Sequence, residues 1–456
     1  MHDTSSSNEY RGKKIAILGF GVESQETVEF LLKQGALLHV LDQKDEKNFN
    51  AERLLYLRNE GVNFSFGRFQ SLADFDIIIR SPGIRPGIHA LHEAGDLGIE
   101  ITSATNIFLK AATGTVIGVT GTKGKGTTAA LLFEIISNSG RDVYLGGNIG
   151  VPALSFLNKL RKESISVLEL SSFQLIDATV SPQIAVVLMV TQDHLDYHAD
   201  VKEYIAAKFG ITKFQGKEDA VIVNVDYPGS VAIADQSQGR KLSASKSKEL
   251  TKGCFVHEDQ IVIAKDGDNK KIIAINDILL PGKHNLENVC AAVMAADLIG
   301  VSHDHIAETL KTFKGLQHRL ELVREVSGIH YYNDSISTMP DSAIAAIFAF
   351  EEPKVLILGG SSKANNFTEL GKIISESGSI KAIIGIGKEW PEIKSHITKQ
   401  MKFIENCNTM EDIVAKASAI AESGDVVILS PACASFDMFK DYKDRGDQFK
   451  VAVNKL

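Results

Sequence analysis

The sequence is poor in cysteine and has no long apolar segment. Its four cysteines are widely spaced among 456 residues and form no CxxC pair, which disfavours a structural zinc site and a disulfide framework. The longest unbroken apolar stretch is Ile184–Val190, whereas a helix that spans a bilayer needs about 20 residues. No apolar signal segment follows the polar first residues. We therefore expect a cytoplasmic protein without a membrane partner.

Blocks of basic residues are also missing. Lys and Arg number 49 against 57 Asp and Glu, so the formal net charge is −8. A protein that binds nucleic acid regardless of sequence neutralises phosphates with Lys and Arg, so this balance argues against a nucleic-acid partner. Hydrophobic residues make up 44% and charged residues 23% of the chain, as in globular proteins with sizeable cores. At about 150 residues per domain, the length predicts about three domains.

Short β-branched runs alternate with longer amphipathic segments, for example Lys14–Leu18 followed by Val22–Lys33. Apolar strands separated by helices predict an α/β protein with mostly parallel sheets covered on both faces. Three segments start afresh with a strand and a glycine turn: ILGFG near residue 18, VTGTKGKG near residue 120 and ILGGSSK near residue 358. We predict a Rossmann-like N-terminal domain over 1–104, a central ATPase domain of the P-loop type over 105–315 and a Rossmann-like C-terminal domain over 316–456.

The first glycine turn, Gly19-Phe-Gly21, follows a predicted strand and opens a predicted helix, and Asp42 closes the next strand. This is most of a dinucleotide fingerprint, which places phosphates at a helix N-terminus and an acidic group on a ribose hydroxyl. Ser24 occupies the position of the third glycine. The turn alone leaves three interpretations open: a nicotinamide dinucleotide site, a nucleotide-diphosphate site and a turn without a ligand.

The second glycine turn, TGTKGKGTT over 120–128, lies between a predicted strand and a predicted helix. Such a bend directs backbone N–H groups at phosphates, and Lys125 would reach the β- and γ-phosphates. The spacing GxxxxGK[ST] is not met, because Gly126 follows Lys125 where Ser or Thr is expected. Thr127 and Thr128 are the nearest hydroxyls for Mg²⁺. The order of strand, loop, lysine, hydroxyls and helix still predicts an ATP site.

Two further residues suggest metal ligands beside this loop. Glu169 interrupts an apolar strand, where an ionised carboxylate is costly to bury unless it is paired or bound to a metal. His194 lies just beyond another apolar strand. Because both residues fall at the carboxyl ends of strands near the phosphate loop, we expect them to help bind Mg²⁺.

At these motifs the sequence resembles the Mur ligase family, and matching strings occur in order through all three segments. LELSSFQL and SPACAS are individually specific, whereas the phosphate loop is shared with folylpolyglutamate synthases. The matching strings are GTKGKGTT (121–128), GGNIG (146–150), LELSSFQL (168–175), TQDHLDYH (191–198), YIAAK (204–208), GKHNLEN (282–288), LQHRLE (316–321), YNDSIST (332–338) and LSPACASFDMFKDY (429–442).

The resemblance implies an ATP-dependent amide-bond ligase of peptidoglycan precursor synthesis. In this reaction ATP phosphorylates the carboxylate of UDP-N-acetylmuramoyl-L-alanine, and the amino group of D-glutamate attacks the acyl phosphate. Phosphorylation supplies the leaving group that a carboxylate lacks, and the protein mainly positions the groups and neutralises phosphoryl charge. The resemblance also implies two Mg²⁺ sites, with Mn²⁺ as a substitute, small-molecule substrates as the partners, and a monomer.

The resemblance assigns the ATP and metal sites. Lys125, Glu169, His194 and Lys208 would be catalytic, and Lys208 falls where the family carries a carbamylated lysine that completes the second metal site; the sequence by itself predicts only an exposed helix lysine. Thr127, Glu169, His194 and Lys208 would hold the metals. The implied ATP-binding residues are Gly121, Thr122, Lys123, Gly124, Lys125, Gly126, Thr127, Thr128, Asn285, Asn288, Arg319 and Asp334.

The resemblance also assigns the other two substrates. A lysine and hydroxyls suit a dicarboxylate, through charge-assisted hydrogen bonds. The implied glutamate-binding residues are Thr338, Lys363, Ser435, Phe436 and Tyr442. The implied residues for the UDP substrate, which favour the nucleotide-diphosphate interpretation of the first turn, are Gly21, Val22, Glu23, Asp42, Gln43, Ser81, Pro82, Gly83, Asn148, Ser171 and Gln174.

Two departures from the family pattern keep alternatives open. The common motif NDSKAT is NDSIST here, so Ile336 replaces a lysine near the amino-acid site, and an L-glutamate-adding relative is one alternative. Gly126 is a feature that the loop shares with folylpolyglutamate synthases, so a ligase of that type is a second alternative. A nicotinamide oxidoreductase, suggested by Gly19-Phe-Gly21 and Asp42, and a binding protein without activity are more remote.

Overall fold

The computed structural model describes residues 9–69, 71–192, 197–265, 268–361 and 365–456, and within them the predicted three-domain α/β architecture is confirmed. Three sheets of five, nine and six strands follow one another along the chain. The chain forms two compact units. The first reaches Ile275 and includes Glu287–Thr309, and the second comprises Asn276–Leu286 and Leu310–Leu456. The domain boundaries given above stay predictions.

The first sheet is entirely parallel in the strand order β3-β2-β1-β4-β5. Its central strand begins with an exposed lysine, and residues 15–18 are apolar and buried, as expected where helices cover both faces of a parallel sheet. Its strands are β1 (Lys14–Leu18), β2 (Leu37–Asp42), β3 (Asn63–Phe66), β4 (Ile77–Arg80) and β5 (Glu100–Thr102), and its helices are α1 (Val22–Lys33), α2 (Ala51–Asn59), α3 (His89–Asp96) and α4 (Ala104–Ala111).

The second sheet has the order β14-β13-β12-β11-β10-β9-β6-β8-β7 and is parallel except at β13, which runs antiparallel to both neighbours. Its strands are β6 (Thr115–Thr120), β7 (Val143–Gly147), β8 (Ile165–Glu169), β9 (Ile184–Val187), β10 (Ala220–Asn224), β11 (Arg240–Ser245), β12 (Gly253–His257), β13 (Gln260–Lys265) and β14 (Asp268–Ala274). The helices of this part of the chain are α5 (Lys125–Asn138), α6 (Ser172–Leu175), α7 (Val201–Ala207), α8 (Pro228–Ala234), α9 (Asn285–Leu298) and α10 (His303–Thr312).

The third sheet has the order β15-β16-β20-β17-β18-β19, with only its edge strand β15 antiparallel. Successive residues of one strand, Leu356 and Ile357, enter separate apolar clusters on opposite faces. Its strands are β15 (Glu321–Val326), β16 (Ile329–Asn333), β17 (Lys354–Gly359), β18 (Ile380–Ile386), β19 (Lys402–Ile404) and β20 (Val426–Leu429), and its helices are α11 (Pro340–Phe348), α12 (Thr368–Glu376), α13 (Trp390–Ser395), α14 (Met410–Ser418) and α15 (Tyr442–Asn454).

Every helix in the described ranges is too short or too polar to cross a lipid bilayer.

Candidate functional site

The second glycine turn joins the end of β6 to the start of α5. Gly124 caps the helix with a left-handed φ of 83°, a conformation that costs glycine little, and α5 begins at Lys125. The Lys125 ammonium donates to the carbonyl oxygens of Gly121 at 3.0 Å and Thr122 at 3.1 Å. A cationic side chain therefore lies beside the N-terminal end of a helix, whose free N–H groups favour anions.

Thr122 anchors this loop to neighbouring elements. Its backbone N–H donates to the Met189 carbonyl at 2.6 Å, and its hydroxyl accepts from the Thr191 N–H at 3.0 Å. The same hydroxyl lies 3.0 Å from the Tyr204 hydroxyl. The loop is thus held at several points, which suits a site that must keep backbone donors in fixed positions.

Asn288, on α9, packs directly on Gly124. A Cβ atom added at Gly124 would collide with the Asn288 carboxamide, so only glycine leaves room for this contact. Asn288 is buried. The structure therefore brings two predicted ATP-binding residues together although they are distant in sequence.

Glu169 lies one strand away from the loop, because β8 pairs with β6 so that Glu169 is opposite Val119. Its carboxylate is buried, and one oxygen, Oε1, accepts from the Asn148 side-chain amide at 3.0 Å. The other oxygen, Oε2, is buried and has no hydrogen-bond partner among the described residues. Buried carboxylate oxygens are normally satisfied, so this oxygen fits a cation ligand.

The buried hydroxyl of Thr128 is also without a partner in the described ranges, which fits the predicted role of a loop hydroxyl. Within those ranges no three His, Cys, Asp or Glu side chains form a metal-binding group. His194, the other predicted metal ligand, lies outside the described residues.

Lys208 differs from what its sequence context suggests. The expectation of an exposed helix lysine is wrong, because its side chain is 1% exposed at the C-terminal end of α7. Its ammonium donates to the Thr120 hydroxyl at 3.3 Å and the Gly121 carbonyl at 3.1 Å, and lies 4.8 Å from the centre of the Tyr204 ring. The amine therefore reaches the phosphate loop, where the resemblance predicts a metal-binding carbamate.

Asp42, the acidic residue predicted to act with the first glycine turn, lies at the end of β2 and forms a hydrogen bond to the turn. Asp42 Oδ2 accepts from the Phe20 N–H at 2.7 Å, and Oδ1 accepts from the Lys44 N–H at 2.8 Å. At the third glycine position, the Ser24 hydroxyl lies 2.5 Å from that of Ser81. A serine at this position thus fastens α1 to the loop after β4, and a ribose contact by Asp42 stays a prediction.

Two predicted UDP-substrate residues, Glu23 on α1 and Gln174 on α6, are in contact. The Gln174 amide donates to Glu23 Oε1 at 3.2 Å, and burial raises the pKa of the Glu23 carboxyl. Gln174 also forms a capping box with Ser171 at the start of α6. The exposed Val22 and the loop of Ser81, Pro82 and Gly83 lie in the same unit. Gln43, also of the predicted UDP set, lies in the first unit. The same unit contains the phosphate-loop residues Lys123, Gly126 and Thr127, of which Thr127 is buried.

Sequence reasoning missed Arg80, the last residue of β4. Its side chain is 1% exposed, and its guanidinium donates to the carboxylate of Asp177 at 2.6 Å. It also donates to the carbonyls of Ile84 at 2.6 Å and Phe173 at 2.8 Å. The available signal was an arginine at the end of the apolar run IIIR, where a charge needs a partner.

The sequence analysis also assigned no role to His198, the last residue of the TQDHLDYH string. Its ring is buried and stacks on Phe173 with the ring centres 5.8 Å apart, and its Nε2 lies 3.1 Å from the Ser172 hydroxyl. This histidine joins α6 to the segment before α7.

In the second unit, Asn285 and Asp334 of the predicted ATP set are both buried, and Asp334 is the more deeply buried of the two. Its carboxylate accepts from the Leu320 N–H at 3.1 Å and the Ser430 hydroxyl at 2.7 Å. Burial raises the pKa of Asp334 to about 6. The neighbouring Arg319 is exposed, and the Asn285 amide donates to the Pro281 carbonyl at 2.6 Å.

The predicted glutamate residues fall on two segments of this unit. Thr338 follows β16, and Ser435 and Phe436 follow β20, where Ser435 is buried and Phe436 is 72% exposed. Tyr442 begins α15, with its ring centre 6.0 Å from that of His318. Lys363 lies outside the described residues. Ligands of open α/β sheets bind beyond the carboxyl ends of the strands, so the position of these segments suits a small-molecule site.

Comparisons with known proteins find relatives for all three parts of the chain. Family models match three regions: the Mur ligase MurD-like N-terminal domain over 13–103, the Mur ligase middle domain over 119–296 and the Mur ligase glutamate ligase domain over 318–433. UDP-N-acetylmuramoylalanine--D-glutamate ligase of Acetivibrio thermocellus is 36% identical over 98% of this chain and 97% of its own. The enzyme of the same name from Caldanaerobacter subterraneus subsp. tengcongensis is 37% identical over 98% and 99%.

Solved structures share the fold at lower sequence identity. MurF ligase from Thermotoga maritima in complex with ADP is 20% identical, with a TM-score of 0.57 over 99% of this chain and 97% of its own. UDP-N-acetylmuramate-alanine ligase MurC from the same organism is 18% identical, with a TM-score of 0.57 over 97% and 99%.

Proposed function

The chain belongs to the Mur ligase family, and we propose that it joins D-glutamate to UDP-N-acetylmuramoyl-L-alanine with cleavage of ATP to ADP and phosphate. The observation that carries this proposal is the phosphate loop with Lys125 at its helix, set one strand away from a buried carboxylate oxygen of Glu169 that has no partner among the described residues. The full-length similarity to D-glutamate ligases supports the choice of substrates.

The reaction has two steps. The γ-phosphoryl group of ATP passes to a carboxylate oxygen of the UDP substrate, which gives ADP and an acyl phosphate. The amino nitrogen of glutamate then attacks the carbonyl carbon and loses a proton, and the bond from that carbon to the phosphate oxygen breaks. Because the transferring group carries several negative charges, most of the rate comes from positioning and charge neutralisation.

The residues of the first unit would serve the phosphoryl transfer. Lys125 would neutralise charge on the β- and γ-phosphates, and the N–H groups at the start of α5 would bind the same oxygens. Glu169, Thr127 or Thr128, His194 and Lys208 would hold two Mg²⁺ ions. When bound, these ions supply charge neutralisation at the phosphoryl oxygens. Glu169 Oε2 and the Thr128 hydroxyl, both buried and without a hydrogen-bond partner among the described residues, fit this role.

Glu23, Asp42 and the loop of Ser81 would position the UDP moiety, together with Asn148 and Gln174. We further propose that the three domains divide the substrates as predicted: the UDP compound on 1–104, ATP on 105–315 and glutamate on 316–456. The predicted ATP ligands are split between 105–315 (Asn285 and Asn288) and 316–456 (Arg319 and Asp334), and this division favours assembly of the ATP site by closure of the third domain on the second. The proposal includes a cytoplasmic location and a monomer that acts on small molecules only.

One alternative rests on a specific observation. Ile336, which replaces the lysine of the family motif, is only half-buried, and its N–H donates to the His318 carbonyl at 3.1 Å. A missing positive charge beside Thr338 could alter which isomer of glutamate is accepted, so L-glutamate is the second candidate substrate. The folate, nicotinamide and non-catalytic alternatives lose their basis, since family similarity covers all three segments.

The test is phosphate release from Mg-ATP and UDP-N-acetylmuramoyl-L-alanine, with D- and L-glutamate in parallel. Turnover with D-glutamate alone supports the proposal and means that the site tolerates Ile336. Turnover with L-glutamate alone favours the second candidate, and the Ile336→Lys variant then tests whether this position sets the preference. Silence with both isomers, from a folded protein, refutes both candidates.

A further inference from the structure

Arg445, on α15, is a completely buried arginine that the reaction described above does not use. Its side chain is 0% exposed. Its Nε donates to the Ser335 hydroxyl at 2.9 Å and its Nη2 donates to the Ser335 carbonyl at 2.8 Å. Both Nη atoms donate to the Cys433 carbonyl at 3.1 Å, and Nη1 also donates to the Ala434 carbonyl at 3.3 Å. The guanidinium thus clamps two separate stretches of backbone.

These stretches lead directly into the predicted glutamate-binding segments. Ser335 lies three residues before Thr338, and Ala434 immediately precedes Ser435. The Ser335 hydroxyl, which accepts from Arg445, donates in turn to the carbonyl of Tyr442 at 2.7 Å. Three of the five predicted glutamate residues are therefore tied to one side chain through neighbouring main-chain atoms.

The clamped segments are also linked to each other in a strained conformation. The Ala432 N–H donates to the Ser337 carbonyl at 2.9 Å, and Ala432 has a φ of 59°, a left-handed value that is costly for a residue with a Cβ atom. Backbone in such a conformation persists only where its surroundings hold it. Arg445 is the side chain that bonds to the next two carbonyls of this loop.

The charge of Arg445 is not neutralised by a direct carboxylate contact. All its hydrogen bonds to described residues end on neutral oxygens. Burial lowers the pKa of Arg445 to about 10, so the guanidinium remains charged at neutral pH. The carboxylates of Asp437 and Asp334 act on the guanidinium through space, without a hydrogen bond to it among the described residues. An anion bound nearby would offset more of the cost of burying this charge.

We propose that Arg445 is a positioning residue for the acidic amino acid: it fixes the spacing of the Thr338 and Ser435 segments and supplies the positive potential that favours the two carboxylates of the substrate. This inference rests on the proposed function. It accounts for glutamate recognition by a chain in which Ile336 replaces a lysine of the family motif.

The test compares Arg445→Gln and Arg445→Lys with the wild type. KM for D-glutamate, KM for ATP and kcat are measured with all other substrates saturating, and the fluorescence of Trp390, the one tryptophan of the chain, reports the folding of this unit. Arg324→Gln is the matched control, because Arg324 is exposed and donates to the Asn454 carbonyl at the other end of α15.

Arg445→Gln is expected to raise KM for D-glutamate about 10- to 100-fold, since charged hydrogen bonds to the loops are lost. KM for ATP should stay within about twofold of wild type if the effect is confined to the amino-acid site. Arg445→Lys keeps the charge but not the fork of donors, so its KM for D-glutamate should be intermediate. Arg324→Gln should behave as wild type.

A folded Arg445→Gln protein with unchanged KM for D-glutamate, or with equal increases in both KM values, overturns the inference while leaving the proposed function intact. If Arg445→Gln does not fold, Ser335→Ala replaces it, because this change removes one acceptor of Arg445 and leaves the guanidinium in place. An unchanged KM for D-glutamate in that variant overturns the inference equally. A folded wild-type protein that is silent with both glutamate isomers refutes the proposed function and the inference with it.

Discussion

Arg80 Nε donates to Asp177 Oδ2 across 2.6 Å and thereby joins the end of the first sheet to the segment after α6 of the second. The arginine is buried and the aspartate side chain is 21% exposed. The rest of the guanidinium bonds to carbonyls on both sides of the junction, at Ile84 and Phe173. One side chain thus fixes the loop after β4 against α6.

This relationship predicts a substrate-specific defect. Arg80→Met should raise KM for the UDP substrate about tenfold or more and lower the free energy of unfolding by about 3 kcal/mol, because it leaves a partly buried carboxylate and several carbonyls unpaired. KM for glutamate should not change. Steady-state kinetics and urea unfolding measure both effects.

The control for Arg80 is Arg58→Met, which removes the exposed ion pair of Arg58 and Glu46 in the same domain. Exposed pairs contribute less than about 1 kcal/mol, so this variant should match the wild type. Equal increases in KM for all three substrates in Arg80→Met would mean that Arg80 only maintains the fold.

The contact of Gly124 with Asn288 gives a second prediction. Gly124→Ala combines a left-handed φ with a collision against the Asn288 carboxamide, so it should displace Asn288 and raise KM for ATP more than about tenfold. Gly140, just past the other end of α5, has a φ of 80° and open space around it. Gly140→Ala therefore shares the strain, about 1–2 kcal/mol, without the collision. If both variants raise KM for ATP equally, the Asn288 contact is unimportant for the nucleotide.

The buried amine of Lys208 leads to a third prediction. If Lys208 carries a carbamate, Lys208→Ala should lose at least about 100-fold in kcat, and short-chain carboxylates such as acetate should restore part of the activity by replacing the anion. Lys213→Ala, at an exposed lysine nearby, should keep full activity. Activity that stays low at every carboxylate concentration would leave Lys208 as an uncarbamylated lysine that supports the loop.

The sequence was most informative where local chemistry decides the structure. The apolar run Lys14–Leu18 and the amphipathic run Val22–Lys33 became β1 and α1 with the predicted bounds. Glu169 stood out because a carboxylate within an apolar strand needs a partner, and the structure leaves one of its oxygens unpartnered among the described residues. These predictions depend only on periodicity and on the cost of burying charge.

Residues whose roles depend on distant backbone could not be predicted in the same way. Lys208 follows an ordinary helical pattern, and its burial results from the approach of α7 to the phosphate loop. Arg445 donates mainly to main-chain carbonyls. Because every residue has such a carbonyl, the sequence contains no particular residue type from which these partners could be predicted. Only the packing of the third sheet brings those carbonyls together.

The buried carboxyl of Asp334 predicts an unusual dependence of stability on pH. Its pKa is about 6 in the folded protein against 3.8 for the free side chain, so the folded state holds its proton more tightly than the unfolded state does. The resulting stability is fully present below the unfolded pKa and is lost as the pH rises through about 6. Asp334→Asn remains neutral at every pH and should escape this loss. The free energy of unfolding of the variant relative to wild type should therefore increase by about 2 kcal/mol between about pH 4.5 and about pH 7.5.

Trp390 makes this measurement specific to the second unit, because it is the only tryptophan and belongs to that unit. Urea unfolding followed by its fluorescence gives the free energy of unfolding of wild type and Asp334→Asn at each pH. The same variant should lose kcat at neutral pH, where the ionised carboxylate is the predicted ATP ligand. A difference in unfolding free energy that stays constant with pH would contradict the raised pKa. If Asp334→Asn were both less stable and less active than wild type at neutral pH, the ionised Asp334 carboxylate would support the fold. We expect instead that Asp334→Asn is more stable and less active than wild type at neutral pH, because a charge retained for binding costs stability.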